Sequence, residues 1–159
     1  MSACDDPQAL QAAPKECERH AAVLREAREE IGATHFTAAT VQHLTSDRLR
    51  ILDQLAYRFG KLQDTLGLRV LPGILDLSEE PFLDATPFAQ KLQRLERLGA
   101  IPSVDQWRLL RELRNQLAHE YIDAPSLKAA ALTRFITGVE DMLTVWRHVS
   151  ADAIREPQS

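Results

Sequence analysis

Arg111-Glu112-Leu113-Arg114-Asn115-Gln116-Leu117-Ala118-His119-Glu120-Tyr121 is the stretch from which the rest of the chain can be read. Leading into it and through it, Val104, Trp107, Leu110, Leu113 and Leu117 recur at steps of three and four. That spacing keeps apolar residues on one side of an α-helix and predicts a core-facing stripe. The other side is polar. Arg111, Asn115 and His119 are successive i, i+4 neighbours, and Arg114 and Tyr121 share an adjoining face about 10 Å apart along the axis. A helix that buries one face and shows a row of Arg, Asn and His on the other can hold a phosphate and move a proton beside it.

Working outward, Ser103 is the candidate cap of this helix, with Pro102 before it. Phe88, Leu92, Leu95 and Leu98 predict a preceding helix that ends at Gly99. The acidic, proline-bearing segment from Ser78 to Pro87 reads as a long connection. Leu68 to Leu77 is apolar but broken by Pro72-Gly73, a short helix or turn. Before it, Leu52, Leu55, Phe59, Leu62 and Leu66 form the most regular stripe in the chain, closed by Gly67. Thr37 or Thr40 can cap a second helix, and Ser46 and Asp47 either cap a later one or lie inside it. Cys17, His20, Leu24, Ala27 and Ile31 mark a first helix that begins near Pro14-Lys15 and stops at Gly32. His20 sits on its apolar stripe and reads as a packed histidine. After the motif, Asp123-Ala124-Pro125-Ser126 is a turn. Leu132, Phe135, Ile136, Val139, Met142, Leu143 and Trp146 then give a last helix with a broad buried face, and His148 near its end suits the helix dipole. The expectation is an all-α, up-and-down bundle of about five helices over residues 15–151. Flexible tails at 1–14 and 152–159 flank it, and no stretch reads as a strand.

With 159 residues the chain is long enough for one domain with its own core. Its net charge of −4 argues against a surface coated in positive charge. The distribution is uneven, however. Between Lys91 and Arg114 six basic residues stand against three acidic ones, so any anion site is local and lies beside the motif. Cys4 and Cys17 have no metal-ligand spacing with a histidine, and His35 and His43 lack a third ligand, so no metal site is expected. Two cysteines, no signal peptide and no apolar run of membrane length lead to the expectation of a reduced, cytoplasmic protein.

Arg114-Asn115-Gln116-Leu117-Ala118-His119-Glu120-Tyr121 resembles the Arg-x4-His-x-Tyr signature of the HEPN superfamily, and within it the HepT-like toxin ribonucleases. Phe88-Ala89-Gln90-Lys91-Leu92, Leu98-Gly99-Ala100-Ile101 and Asp47-Arg48-Leu49-Arg50-Ile51-Leu52 agree with the surrounding pattern, so the likeness covers residues 46 to 150. The first thirty residues and the Ser78 to Pro87 connection depart from it. The resemblance implies a two-fold homodimer with Arg and His pairs at the interface, and a toxin–antitoxin pair with a small cognate nucleotidyltransferase. It also implies that this partner attaches AMP to Tyr121. The residue types themselves leave Tyr121 open, since a tyrosine at a helix end also serves to cap a core.

RNA supplies its own nucleophile, the 2′-hydroxyl. Cleavage then needs a base, an acid and positive charge around the phosphate. A histidine titrates near neutrality, and an arginine offers a charged planar fork. His119 is therefore the candidate acid or base and Arg114 the candidate phosphate holder. Asn115 would orient an oxygen, with Arg111 as a further RNA contact and no cofactor or metal. On an ideal helix Arg114 and His119 differ by about 140° around the axis, so they converge only if the helix unwinds near Ala118 or a second subunit contributes. The expected function is a metal-independent endoribonuclease toxin. The alternatives are a non-catalytic nucleotide- or substrate-binding partner of a nucleotidyltransferase and a purely structural helical dimer.

Overall fold

Two glycines end helices by adopting a left-handed backbone that other residues avoid. Gly32 has φ of 63° and Gly99 φ of 75°. At Gly99 the cap is complete: Ala100 N–H donates to the Leu95 carbonyl at 2.9 Å and Gly99 N–H to the Glu96 carbonyl at 3.0 Å. Both positions were legible as stops. In a computed structural model that describes residues 7–77, 86–117 and 123–153, every regular element is helical. These elements are α1 (Pro7–Ile31), α2 (Ala38–Gln42), α3 (Ser46–Thr65), a π-helical turn (Leu66–Val70), α4 (Leu71–Asp76), α5 (Phe88–Arg97), α6 (Val104–Leu117) and α7 (Pro125–Ala153).

The expectation of about five helices undercounts because two short pieces carry no long apolar period of their own. Helix α2 has five residues, with Thr37 and Thr40 bonding each other's backbone N–H in a capping box. Helix α4 arises because Gly67 does not close α3. The backbone stays right-handed helical from Thr65 through Leu71. Within it the hydrogen bonds widen by one residue, so that Leu71 N–H reaches the Leu66 carbonyl. The wider register stands just ahead of Pro72, which has no N–H to give and would crowd an α-helical turn. Gly67 serves packing instead: a methyl there would lie 3.1 Å from the Trp107 ring. At the front of the chain, α1 begins at Pro7 and not near Pro14, which sits inside the helix. The Ala-rich segment around Pro14 is a good helix former, and Ala13 is already in the core, which offsets the one lost bond.

Four long helices make the core. Helix α1 packs most extensively on α3, α3 on α6, α6 on α7, and α7 back on α1, so neighbours in sequence are neighbours in space, while α2 lies on α7 and α5 bridges α4 and α6. The predicted stripes are the buried faces. Cys17, Leu24, Leu55, Phe59, Leu62, Leu66 and Val139 are fully inaccessible, and Trp107 and Trp146 are core aromatics as expected. Phe59 meets Phe135 edge to face at 5.2 Å between centroids. Leu98 differs from expectation: as the last residue before Gly99 it points outward and is exposed. Burial pushes the Cys17 thiol up to about 12, so it behaves as a small apolar residue. Among the described residues no helix is long and apolar enough to cross a membrane.

A polar seam runs between α1 and α3. His20 is buried, and Arg58 Nη1 donates to its Nδ1 at 2.9 Å, which requires the neutral ring at that nitrogen. Burial is the main cause holding the His20 pKa below its ordinary value, with the positive charges of Arg58 and Lys61 acting the same way and Glu16 opposing them. Glu16 is held below the usual carboxylate range chiefly by its bond from Arg69, and Glu18 by the bond from the Trp146 indole. In every case the unfolded chain binds more protons than the folded one once pH falls below the unfolded value. The His20 contribution is present above about pH 6.5 and is lost as pH drops through the lowered folded value, followed by the glutamates below about 4.5. The thermal midpoint is therefore expected to fall as pH drops below about 6.5, and His20→Gln is expected to flatten the first part of that fall. An unchanged slope in the variant would assign the acid sensitivity elsewhere.

Candidate functional site

The corner between α5 and α6 fixes where the motif helix starts. Glu96, in the last turn of α5, accepts the Val104 N–H at 2.6 Å, and Ser103 accepts the Gln106 N–H at 3.2 Å, as a cap should. His148 of α7 donates from Nε2 to the Gly99 carbonyl at 2.6 Å and ties the same corner to the bundle. That anchoring is a role the dipole argument for His148 missed. From there Val104, Trp107 and Leu110 hold α6 to the core, and its polar side runs along α3.

Between α6, the end of α3 with its π-turn, and the start of α5 lies a groove of about 640 Å³. Arg111, Arg114 and Asn115 line it from α6, Gln63 and Asp64 from α3, and Lys91 from α5. Of the sequence-predicted site residues, Arg111, Arg114 and Asn115 thus come together in one cleft. His119 and Tyr121 lie outside the described residues. Helix α6 is described to Leu117, one residue short of the expected unwinding at Ala118.

Arg114 is not an open cation. Its Nη2 donates to Asp64 Oδ2 at 3.0 Å and its Nη1 to Asp64 Oδ1, a two-pronged pairing across fifty residues of sequence. Both side chains are about two-fifths exposed, so solvent screens the pair. The guanidinium lies over Gly60, where a methyl would sit 3.5 Å from its Nε, in ordinary contact. A guanidinium has five N–H groups, so a fork on Asp64 leaves three for another oxygen ligand. Arg111 sits 5.8 Å over the Phe88 ring, and neither it nor Lys91 is paired with a carboxylate among the described residues. The groove therefore keeps net positive charge after the Arg114–Asp64 pair cancels.

On the outer side of α3, Tyr57, Lys61 and Asp64 fall at i, i+4 and i+7, on one face leading to the groove. Tyr57 is exposed, with Arg58 5.5 Å and Lys61 5.6 Å from its ring centre. An exposed ring among cations is a surface on which a base can stack.

Sequence reasoning missed Asp64, Lys91 and Gln63. Gln63 carried a signal: it stands four residues after Phe59 and three before Leu66, on the apolar stripe, and it is buried. A polar residue at a core position marks a place where the rule of the stripe is broken for a reason. Asp64 carried no such signal, since surface charges on amphipathic helices are the common case, and Lys91 was marked only as the first cation of the basic stretch that runs to Arg114. No protein-family model, no curated protein and no solved structure matches this chain.

Proposed function

We propose that the chain is a metal-independent endoribonuclease of the HEPN, HepT-like kind, acting as the toxin of a pair whose other member is a nucleotidyltransferase. The observation that carries this reading is the groove beside the motif. Arg114, Arg111, Lys91 and Asn115 line one cleft in a chain whose total charge is negative. The reaction it would serve is attack of a 2′-oxygen on the adjacent phosphorus. The new O–P bond forms as the bond to the 5′-oxygen breaks. A base takes the 2′-hydroxyl proton, and an acid gives a proton to the departing 5′-oxygen. The products are a 2′,3′-cyclic phosphate and a 5′-hydroxyl. His119 takes one of the proton roles, Arg114 neutralises the phosphate, and Asn115 orients an oxygen. One histidine per motif is too few for both proton steps, so the reading includes a two-fold homodimer in which two motifs share a cleft. AMP on Tyr121 would add charge and bulk next to that cleft and switch it off.

The Arg114–Asp64 pair favours a second reading, a nucleotide-binding helical partner that does not cut. A guanidinium already matched to a carboxylate offers less to a phosphate in flight than an unpaired one. Incubating the purified protein with single-stranded RNA in EDTA separates the two. Fragments with 2′,3′-cyclic phosphate ends are the expected result. Intact RNA at protein concentrations that saturate RNA binding would leave the binding partner as the function.

A further inference from the structure

Arg58 is a cation held in place without being neutralised. Its Nη1 donates at 2.9 Å to Nδ1 of the buried His20, which is neutral at that nitrogen. A carboxylate would have fixed the guanidinium and cancelled its charge; the imidazole fixes it and leaves the charge. The held guanidinium lies 5.5 Å from the centre of the Tyr57 ring, and Lys61 Nζ lies 5.6 Å from it. Neither cation is paired with a carboxylate among the described residues. Tyr57 itself is 57% exposed. Asp53, four residues earlier on the same face of α3, also has no ion-pair partner among the described residues, so two positive charges stand against one negative charge around the ring.

This ridge runs into the groove. Tyr57, Lys61 and Asp64 follow one another at four and three residues on α3, and Asp64 and Leu68 line the groove itself. Asp64, which grips Arg114, stands about 10 Å from Tyr57 along the helix axis. Past Arg114 the positive charge continues through Arg111 and Lys91. A chain of anions crossing Arg114 therefore meets uncancelled cations on both sides of it, and on the α3 side an exposed ring as well. A polymer that carries an anion and a flat ring at every step is a single-stranded nucleic acid. We propose that Tyr57 is a stacking platform for one unpaired base of the RNA strand that flanks the cut phosphate, with Lys61 and Arg58 holding the phosphate beside that base. This inference rests on the RNA reading above and extends its site from the groove onto the outer face of α3.

The energetics favour the base over the present neighbours of the ring. A base stacked on an aromatic side chain contributes more than a solvent-exposed cation at the same ring. An arriving base therefore takes the ring, and Lys61, on its flexible four-carbon stem, turns to the phosphate. Every base has a π-face, so the platform accepts any of them. A duplex keeps its bases stacked on one another and offers none, so the platform selects single strands.

The test is a fluorescence-anisotropy titration with a labelled single-stranded 2′-O-methyl RNA octamer, which has no free 2′-hydroxyl and cannot be cut. An abasic strand of the same length and charge serves as the control. Tyr57→Ala is expected to weaken octamer binding about tenfold, the effect of losing one stacked base. It should change binding of the abasic strand less than about twofold, because that strand has nothing to stack. Tyr57→Phe keeps the ring and should bind the octamer as the parent chain does. Lys61→Gln should weaken both strands alike, since it meets a phosphate. Tyr57 is exposed, so the thermal midpoint should stay where it is in all three variants. An octamer affinity unchanged in Tyr57→Ala, as for a ring that serves a protein partner, overturns the proposal. So does an equal loss on the abasic strand, a Tyr57→Phe variant as weak as Tyr57→Ala, or Lys61→Gln without effect. The titration needs no cleavage, so uncut RNA in EDTA together with a Tyr57-dependent octamer affinity defeats the ribonuclease reading alone. Cleavage of RNA with an octamer affinity indifferent to Tyr57 defeats the platform alone.

Discussion

Arg114→Ala is expected to slow RNA cleavage by about 10²–10³-fold, the usual effect of removing one charged donor from a phosphate-stabilising site, and His119→Ala by about 10²–10⁴-fold, the range for a general acid or base. The two losses should not add if, as proposed, the groups act in one transition state. Arg114→Lys should rescue little. An ammonium is a point charge and cannot keep a fork on Asp64 while it reaches a phosphate. The fold should survive these changes, since the Arg114–Asp64 pair is two-fifths exposed and such pairs contribute about 0–1 kcal/mol. On the proposed mechanism Asp64 is a positioning residue, since its carboxylate holds the Arg114 fork. Asp64→Asn keeps the shape and removes the negative charge, so it should lower kcat through lost orientation and also lower KM through lost repulsion of the RNA. Single-turnover and steady-state rates on one short RNA measure all four variants. Wild-type rates in Arg114→Ala would remove this arginine from the chemistry.

Phe59→Ala is expected to be the most damaging single change to the fold. Phe59 is fully buried on α3 and packs edge to face with Phe135 of α7, so it joins two of the four core helices directly. Truncating a buried phenylalanine loses its transfer energy and leaves a cavity that the neighbours fill only in part, about 3–5 kcal/mol together. Net stabilities of such domains are about 5–15 kcal/mol, so the variant should unfold far earlier in urea and melt well below the parent chain. Phe59→Leu should cost much less, because it keeps most of the volume. A loss below about 1 kcal/mol in Phe59→Ala would mean that this contact does not organise the α3–α7 packing.

The features that could be read straight from the residues are local and periodic. The three-and-four spacing of Cys17 to Ile31, Leu52 to Leu66, Val104 to Leu113 and Leu132 to Trp146 marked the buried faces of the four long helices. Gly32, Gly99, Ser103 and Thr37 marked ends, because a left-handed turn or a capping hydroxyl acts within one turn of chain. Arg111 and Asn115 were visible on one polar face of one helix, and Arg114 on the adjoining face, for the same reason. What those groups meet follows from the packing of the helices. Asp64 lies fifty residues from the arginine that it grips, and Lys91 reaches the groove from a third helix. Gly67 looked like a stop and is instead a gap left for Trp107, and Gln63, which the stripe reading passed over, lines the groove. Periodicity tells which side of a helix is turned inward. It is silent on which residue of another helix stands opposite, because that depends on how the helices are set against one another in three dimensions.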